Sequence, residues 1–265
     1  MPSTSLELGP SAAPIRLAVE PGPEALGRRV AGLLLAALRD RALGLSQRPL
    51  GLATGRTMEP VYAALRQALA ALPAGERTEL LAHWRSFNLD EYVGLGPADP
   101  RSFAATMAAA LGEPLGLAPA QLCLPDGLTA DPEAEAHRYA AAIADAGGLG
   151  LQLLGLGSNG HVGFNEPPCG PQAACRCVLL AAATRQQNAP GFGDDPAAVP
   201  ERAITVGLKE LLEAERLVLV VSGGAKAEIL RRVLREPPSP ELPASWLRRH
   251  PRLQVLADAE AAALL

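Results

Sequence analysis

The chain has 265 residues, 48% of them hydrophobic, and a formal net charge of −4. This length and apolar content are enough for a large core, in one large domain or two small ones. The slightly acidic balance gives no general attraction to nucleic acid or anionic lipid, so any basic site must be local. The first 14 residues lack the basic start and apolar run of a signal peptide, and no apolar stretch is long enough to span a bilayer. We therefore expect a cytoplasmic protein with neither nucleic-acid nor membrane partners.

Four cysteines in a chain of this length do not form a disulfide scaffold, which agrees with a cytoplasmic location. Three of them, Cys169, Cys175 and Cys177, are close together in the sequence. They lack a CxxC pair and any nearby histidine other than His161, so their spacing differs from that of zinc sites. We expect no metal site here.

Short apolar runs alternate with longer helical patterns along the chain. Residues 1–14 are predicted to be disordered. Strands are predicted at 15–19, 50–53, 84–89, 149–154, 217–221 and 253–256, with a short apolar segment at 204–206. Helices are predicted at 23–43, from 57 to about 72, at 101–111, 132–146 and 208–214, and from 224 to about 234.

This alternation predicts parallel βαβ units, and nearly continuous apolar strands are typical of a sheet covered on both faces. We predict an α/β fold: one three-layer α/β/α domain over residues 15–265, with a mostly parallel, Rossmann-like sheet. Ligands bind beyond the carboxyl ends of the strands in such sheets. Polar segments follow three of the predicted strands, at residues 54–57, 90–91 and 157–166.

The first candidate segment is a glycine-rich turn after the strand at 149–154. Its glycines match GxGxxG, the pattern of a dinucleotide-binding loop. That motif requires a helix at its last glycine, but Gly163, Pro167 and Pro168 follow too soon for one. We therefore expect no nucleotide cofactor. The loop presents Asn159, His161, Asn165 and Glu166, and a histidine with a carboxylate can form a proton-transfer pair. A histidine held by a structural hydrogen bond is the alternative.

Two adjacent acids, Asp90 and Glu91, follow the strand at 84–89. Acids at a strand end often form only a solvated loop or a helix cap. A carboxylate that is partly desolvated at a sheet edge can instead act as a general base, because burial raises its pKa. The sequence alone leaves both interpretations open.

Two further turns could hold a phosphate. Thr54-Gly55-Arg56-Thr57 offers backbone amides, two hydroxyls and a guanidinium between a strand and a helix. It lacks the GK[ST] ending of a P-loop, so nucleotide hydrolysis is not indicated. Ser222-Gly-Gly-Ala-Lys226 places one of the two lysines in the first turn of a helix, where the helix dipole disfavours a cation unless an anion compensates. A tight strand-to-helix turn and a solvated lysine are the structural alternatives.

Together these segments resemble the glucosamine-6-phosphate deaminase family. The similar motifs, in the family's order, are Leu52-Ala-Thr-Gly-Arg-Thr57, Phe87-Asn-Leu-Asp-Glu-Tyr-Val-Gly-Leu95, Leu154-Gly-Leu-Gly-Ser-Asn-Gly-His-Val-Gly-Phe-Asn-Glu-Pro167, Thr184-Arg-Gln-Gln-Asn188, Ile204-Thr-Val-Gly-Leu208 and Ser222-Gly-Gly-Ala-Lys226. The resemblance implies acid–base conversion of glucosamine 6-phosphate to fructose 6-phosphate and ammonia, without a cofactor.

The resemblance also implies roles for individual residues. His161 would move the ring-opening proton, with Asn159 and Glu166 in support. Asp90 would take the proton from C2 of the sugar and return it at C1. The segment Thr54–Thr57 and Lys226 would hold the phosphate.

This sequence departs from the family pattern at three places. Asn159 stands where many relatives have aspartate. Pro190 stands where well-studied relatives have a phosphate-binding arginine, and we hypothesise that Arg56, usually glycine, supplies the missing cation. The segment 169–177 does not match the allosteric-site pattern of hexameric relatives, so a monomer or small homo-oligomer is expected.

Other functions on the same fold stay open. The segments Thr184-Arg-Gln-Gln and 242–247 look similar to galactosamine-6-phosphate deaminase–isomerases, and no motif reports the sugar epimer. A 6-phosphogluconolactonase shares the Gly-x-x-Gly-His loop but lacks the ending present here as Phe164–Pro167. A non-catalytic sugar-phosphate sensor would not need Asp90, His161 and Glu166.

Overall fold

The computed structural model describes residues 4–6 and 15–265. Within these ranges the strands are β1 Thr4–Leu6, β2 Ile15–Glu20, β3 Leu50–Leu52, β4 Ser86–Asn88, β5 Asp90–Tyr92, β6 Leu122–Cys123, β7 Leu151–Gly155, β8 Arg176–Leu179, β9 Arg202–Thr205, β10 Arg216–Val221 and β11 Leu253–Asp258. The α-helices are α1 Pro23–Ala42, α2 Glu59–Ala70, α3 Ala74–Ala82, α4 Phe103–Met107, α5 Glu113–Leu115, α6 Pro132–Asp145, α7 Ala182–Asn188, α8 Leu208–Leu212 and α9 Ala227–Arg235. A π-helical turn, Ala108–Gly112, joins α4 to α5.

Eight of the described strands form one sheet in the order β1-β2-β11-β10-β7-β3-β4-β6. Only β1 is antiparallel to its neighbour in this sheet; the other described pairs are parallel. Consecutive residues of β7 and β10 are buried, although they point to opposite faces. Both faces of the sheet are therefore covered, and the predicted α/β architecture with its mostly parallel sheet is confirmed.

A second sheet of three described strands, in the order β5-β9-β8, is antiparallel. The segment 84–89, predicted as one strand, is divided between the two sheets. It pairs with β3 and β6 as far as Asn88, and from Asp90 onward the chain pairs with β9, Asp90 lying opposite Thr205. Asp90 is thus the first residue of the second sheet, directly beyond the carboxyl end of β4.

The core reflects this arrangement of two sheets. The larger cluster of buried side chains surrounds the main sheet. A smaller cluster lies beside the second sheet, and its members are Tyr92, Leu95, Phe164, Leu180, Phe192, Val199 and Ala203. Tyr92 is central to the aromatic part of this cluster, with ring centroids 4.7, 5.6 and 5.5 Å from those of Phe103, Phe164 and Phe192.

Local sequence signals explain several helix starts. Ser102 caps α4 by accepting from the Ala105 amide at 3.0 Å, and Asp131 caps α6 by accepting from the Ala134 amide at 3.0 Å. Proline follows the cap of α6, where its fixed φ suits the first helical position.

Some predictions were wrong or incomplete. The N-terminus was predicted to be disordered, but Thr4–Leu6 forms β1 because its backbone pairs with Ile15–Leu17; residues 1–3 and 7–14 lie outside the described residues. The helices α3, α5 and α7 and the strands β6 and β8 were missed, and the helix predicted over 101–111 begins at Phe103 and becomes π-helical after Met107. No helix in the described ranges is long and apolar enough to cross a membrane.

Candidate active site

A cavity of about 780 Å³ opens at the carboxyl ends of the parallel strands. It is lined by residues that follow β3, β4, β7 and β10, because the ends of parallel strands meet at one edge of the sheet. Seven of the nine predicted site residues border it, namely Thr54, Gly55, Arg56, Thr57, Asp90, His161 and Lys226. Asn159 and Glu166 lie in the adjoining loop and are not part of its wall.

Asp90 and Glu91, adjacent in sequence, have different environments. Asp90 borders the cavity with only 6% of its surface exposed, and burial, followed by the nearby charge of Glu91, raises the pKa of its carboxyl well above the usual range. Glu91 accepts from the amides of Phe103 at 3.0 Å and Ala104 at 2.7 Å, so it caps the start of α4. Glu91 therefore fits the helix-cap interpretation, whereas Asp90 has the buried environment that the general-base interpretation requires.

His161 follows β7 in the glycine-rich loop. The Gly157 amide donates to the His161 carbonyl at 2.9 Å, and Asn159 Oδ1 accepts from the His161 amide at 3.2 Å. The ring lies against Gly157, where an added Cβ would be 2.3 Å from Nε2. Burial, and secondly the charge of Lys226, lowers the pKa of His161 to about 4, so the imidazole is neutral near pH 7.

Two buried acceptor or donor atoms near this loop have no hydrogen-bond partner among the described residues: His161 Nδ1 and Glu166 Oε1. Glu166 Oε2 accepts from the Ala181 amide at 2.8 Å, which ties the loop to the start of α7. The hydrogen bonds of the described residues therefore do not join His161 to Glu166. Asn159 contacts the backbone of its own loop rather than the imidazole ring.

The two predicted phosphate turns both border the cavity. Gly55 has φ 103° and Gly223 has φ 90°, so each turn requires a glycine before its helical turn. Burial, and secondly the charge of Arg56, lowers the pKa of Lys226, which places these two cations near one another. Among the described residues, neither forms a salt bridge within 4.0 Å. An anion bound between these two cations would compensate their charges.

Sequence reasoning missed two supporting groups. Asp258, the last residue of β11, accepts from the amides of Gly223 at 3.0 Å and Ala261 at 2.8 Å and from the Ser222 hydroxyl, and so holds the turn before Lys226. Its position at the carboxyl end of a strand was an available signal. Asn188 Nδ2 donates to the Tyr92 hydroxyl at 2.9 Å beside the cavity; only the family motif containing Asn188 pointed to that region.

Pro190 also borders the cavity, together with Phe192. Arg101 stacks over Phe192, 5.5 Å from the ring centroid, but it is bound to Asp99 through hydrogen bonds of 2.9 and 2.6 Å. Its charge is therefore already compensated, unlike those of Arg56 and Lys226.

Cys169 and Cys175 are buried, and Cys177 is partly exposed. Cys169 Sγ accepts from Arg176 Nη2 at 3.6 Å, and Cys175 is buried in the main core. Over residues 15–265, no group of three or more His, Cys, Asp or Glu side chains is arranged to hold a metal ion.

Residues 21–256 match the family model of glucosamine-6-phosphate isomerases and 6-phosphogluconolactonases. The chain belongs to this family. It is 41% identical over 254 residues to the glucosamine-6-phosphate deaminase of Rhodopirellula baltica, covering 95% of this chain and 96% of that protein. Among solved structures of the family, a monomeric glucosamine-6-phosphate deaminase superposes with a TM-score of 0.85 at 33% identity, over 95% of this chain and all of that one.

The family's other branch shares the fold more distantly. The 6-phosphogluconolactonase of Trypanosoma cruzi superposes with a TM-score of 0.74, at 18% identity, over 98% of both chains. At this identity the likeness extends to the fold alone.

Proposed function

We propose that this protein is a glucosamine-6-phosphate deaminase, which converts glucosamine 6-phosphate and water to fructose 6-phosphate and ammonia. The observation that supports this most is a buried carboxylate, Asp90, in the same cavity as a neutral imidazole, His161, and the cation pair of Arg56 and Lys226. Ester hydrolysis and simple binding need no base that removes a proton from carbon. The relatives that carry the name glucosamine-6-phosphate deaminase are 36–41% identical over most of the chain.

Substrate binding begins at the phosphate. The amides and hydroxyls of Thr54–Thr57 and the ammonium of Lys226 surround the phosphate, and this fixes the sugar relative to Asp90. Arg56 supplies the second cation, in place of the arginine that Pro190 replaces. Its influence on the pKa of Lys226 supports this assignment, since both charges must act on one small volume.

Ring opening requires a proton to leave the hydroxyl at C1 and another to reach the ring oxygen. A neutral imidazole can accept the proton from the C1 hydroxyl and donate a proton to the ring oxygen. His161 is such an imidazole. Asn159 supports this step by holding the loop, and Glu166 by tying the loop to α7. The unpartnered Glu166 Oε1 and His161 Nδ1 leave capacity for one further hydrogen bond each when substrate is bound.

Isomerisation follows in the opened sugar. Asp90 removes the proton from C2, which gives an enolamine, and returns it to C1, which gives the imine of fructose 6-phosphate. Water then adds to C2 and ammonia leaves. The raised pKa of Asp90 makes its carboxylate a stronger base toward a carbon-bound proton.

The test is an assay of purified protein with glucosamine 6-phosphate, in which ammonia and fructose 6-phosphate are followed together. Equal release of both, lost in Asp90→Asn, is the expected result. The galactosamine epimer, assayed in parallel, identifies the branch. Hydrolysis of 6-phosphogluconolactone without ammonia release from either amino sugar would contradict the proposal in favour of the lactonase, and binding without turnover would favour a sensor.

The wider setting follows from the same proposal. Residues 15–265 act as one catalytic domain, in the cytoplasm, on a small amino-sugar phosphate. Because the segment 169–177 lacks the allosteric pattern of hexameric relatives, the protein is a monomer or a small homo-oligomer, and sedimentation at micromolar concentration measures this.

A further inference from the structure

Three buried tyrosines, Tyr62, Tyr92 and Tyr139, have pKa values raised chiefly by burial, and the nearby charge of Asp90 adds to the shift of each. Two of them use their hydroxyl protons within the protein. Tyr62 donates to the Ala53 carbonyl at 2.5 Å, and Tyr139 donates to the Asn88 carbonyl at 2.8 Å.

Tyr92 differs from the other two. Its hydroxyl accepts from Asn188 Nδ2 at 2.9 Å, and among the described residues it donates to no acceptor. A phenolic hydroxyl has one proton to donate in addition to its acceptor capacity. Since Tyr92 borders the cavity, that proton is available to a bound molecule.

The position of Tyr92 on β5 of the second sheet sets the orientation of its side chain. Asp90 and Tyr92 are two residues apart on β5, so their side chains leave the same face of the strand, with Cα atoms about 7 Å apart. The ring is fixed by Phe103, Phe164 and Phe192, and only 2% of the residue is exposed. The hydroxyl is therefore held at a set distance from the base.

Other residues already have a role at most of the polar groups of the sugar phosphate. Under the proposed function, on which this inference rests, the two turns hold the phosphate. His161 transfers protons at the C1 hydroxyl and the ring oxygen, and Asp90 removes the proton from C2. The hydroxyls at C3 and C4 have no partner among these residues. We propose that Tyr92 is a specificity-determining residue whose hydroxyl, oriented by Asn188, donates a hydrogen bond to the C3 or C4 hydroxyl of the sugar phosphate.

Binding of an unreactive hexitol tests this without turnover. The probes are 2-amino-2-deoxyglucitol 6-phosphate and its 3-deoxy and 4-deoxy forms, measured by calorimetry against the wild type, Tyr92→Phe and Tyr139→Phe. We expect Tyr92→Phe to weaken binding of the parent hexitol about 10-fold, the worth of one hydrogen bond between uncharged groups. For one deoxy form the same substitution has no effect, since the partner hydroxyl is already absent.

The controls separate this role from packing. Tyr92→Phe keeps the ring and its three aromatic neighbours, and Tyr139→Phe, which removes a structural hydroxyl, affects all three hexitols alike. Equal weakening of all three by Tyr92→Phe, no weakening of any, or failure of the wild type to bind the parent hexitol would overturn the inference. Wild-type protein that binds the hexitols with the expected pattern yet releases no ammonia from glucosamine 6-phosphate would refute the proposed function and leave the role of Tyr92 intact.

Discussion

The imidazole of His161 rests on the backbone of Gly157, so close that a methyl group there would lie 2.3–2.4 Å from three ring atoms. The glycine is needed because the loop folds the histidine back over its own start, with the Gly157 amide bonded to the His161 carbonyl. The glycine pattern that resembles a dinucleotide loop thus makes room for an imidazole.

Gly157→Ala is expected to displace the ring and lower kcat by at least about 100-fold, because a misplaced proton-transfer group loses its contribution to the barrier. The matched control is Gly170→Ala, where an added Cβ meets no atom within 4 Å and the residue does not border the cavity. Steady-state kinetics of both variants measure the difference. Equal activity of the two would mean that the imidazole position is not critical.

Asp90→Asn is expected to abolish turnover, by about 1,000-fold or more, while the affinity for an unreactive hexitol phosphate changes little. The same variant is expected to be more stable than the wild type at high pH. Burial raises the pKa of Asp90 in the folded protein. The wild type therefore loses stability as the pH rises above the pKa that this carboxyl has in the unfolded chain, whereas the uncharged amide of the variant causes no such loss. Thermal unfolding from pH 5 to 9 measures the difference in stability between the variant and the wild type, which should widen as the pH rises.

Arg56→Ala is expected to raise KM for glucosamine 6-phosphate about 10-fold with a smaller change in kcat, because the phosphate loses one of two cations. Arg28→Ala, an exposed arginine on α1, is the control for removing one positive charge. Adding Pro190→Arg to Arg56→Ala is expected to recover most of the lost affinity. An unchanged KM in Arg56→Ala would exclude the guanidinium from the phosphate site.

The pKa of His161 is expected to be about 4 in the free protein and to rise in Lys226→Met. The sign follows from the charge: Lys226 repels the imidazolium, so its removal favours protonation. Lys209→Met, which removes the other lysine, is the control, because Lys209 is exposed on α8. A titration of the histidine ring signals by NMR resolves both variants, and a value near 6.5 in the wild type would contradict the buried, neutral imidazole.

Alternating apolar runs predicted the parallel sheet, and a parallel sheet explains why the two predicted phosphate turns border one cavity. Residues 54–57 and Lys226 are far apart in the chain, but each follows a parallel strand, and the ends of such strands share an edge. The bounds of β2, β3 and β10 were predicted within two residues for the same reason, since their apolar runs are short and clearly ended.

The break between β4 and β5 could not be predicted, because Phe87-Asn-Leu-Asp reads as a continuous strand. Its division depends on pairing with Thr205, more than 100 residues away, and no local pattern reports such a partner. The contacts of Glu166 were equally inaccessible. Its bond to the Ala181 amide depends on the path of the chain from Pro167 through β8 to α7, and the sequence of this segment has no clear periodicity.

Because Asp90 begins the second sheet and His161 follows a strand of the main sheet, no single element sets the distance between them. Loosening the packing of one sheet on the other would separate the two groups while leaving each sheet and its helices intact. On gentle heating or in low urea, catalytic activity is therefore lost before far-UV circular dichroism changes. Engineering for durable activity should accordingly stabilise the packing between the two sheets rather than either sheet alone.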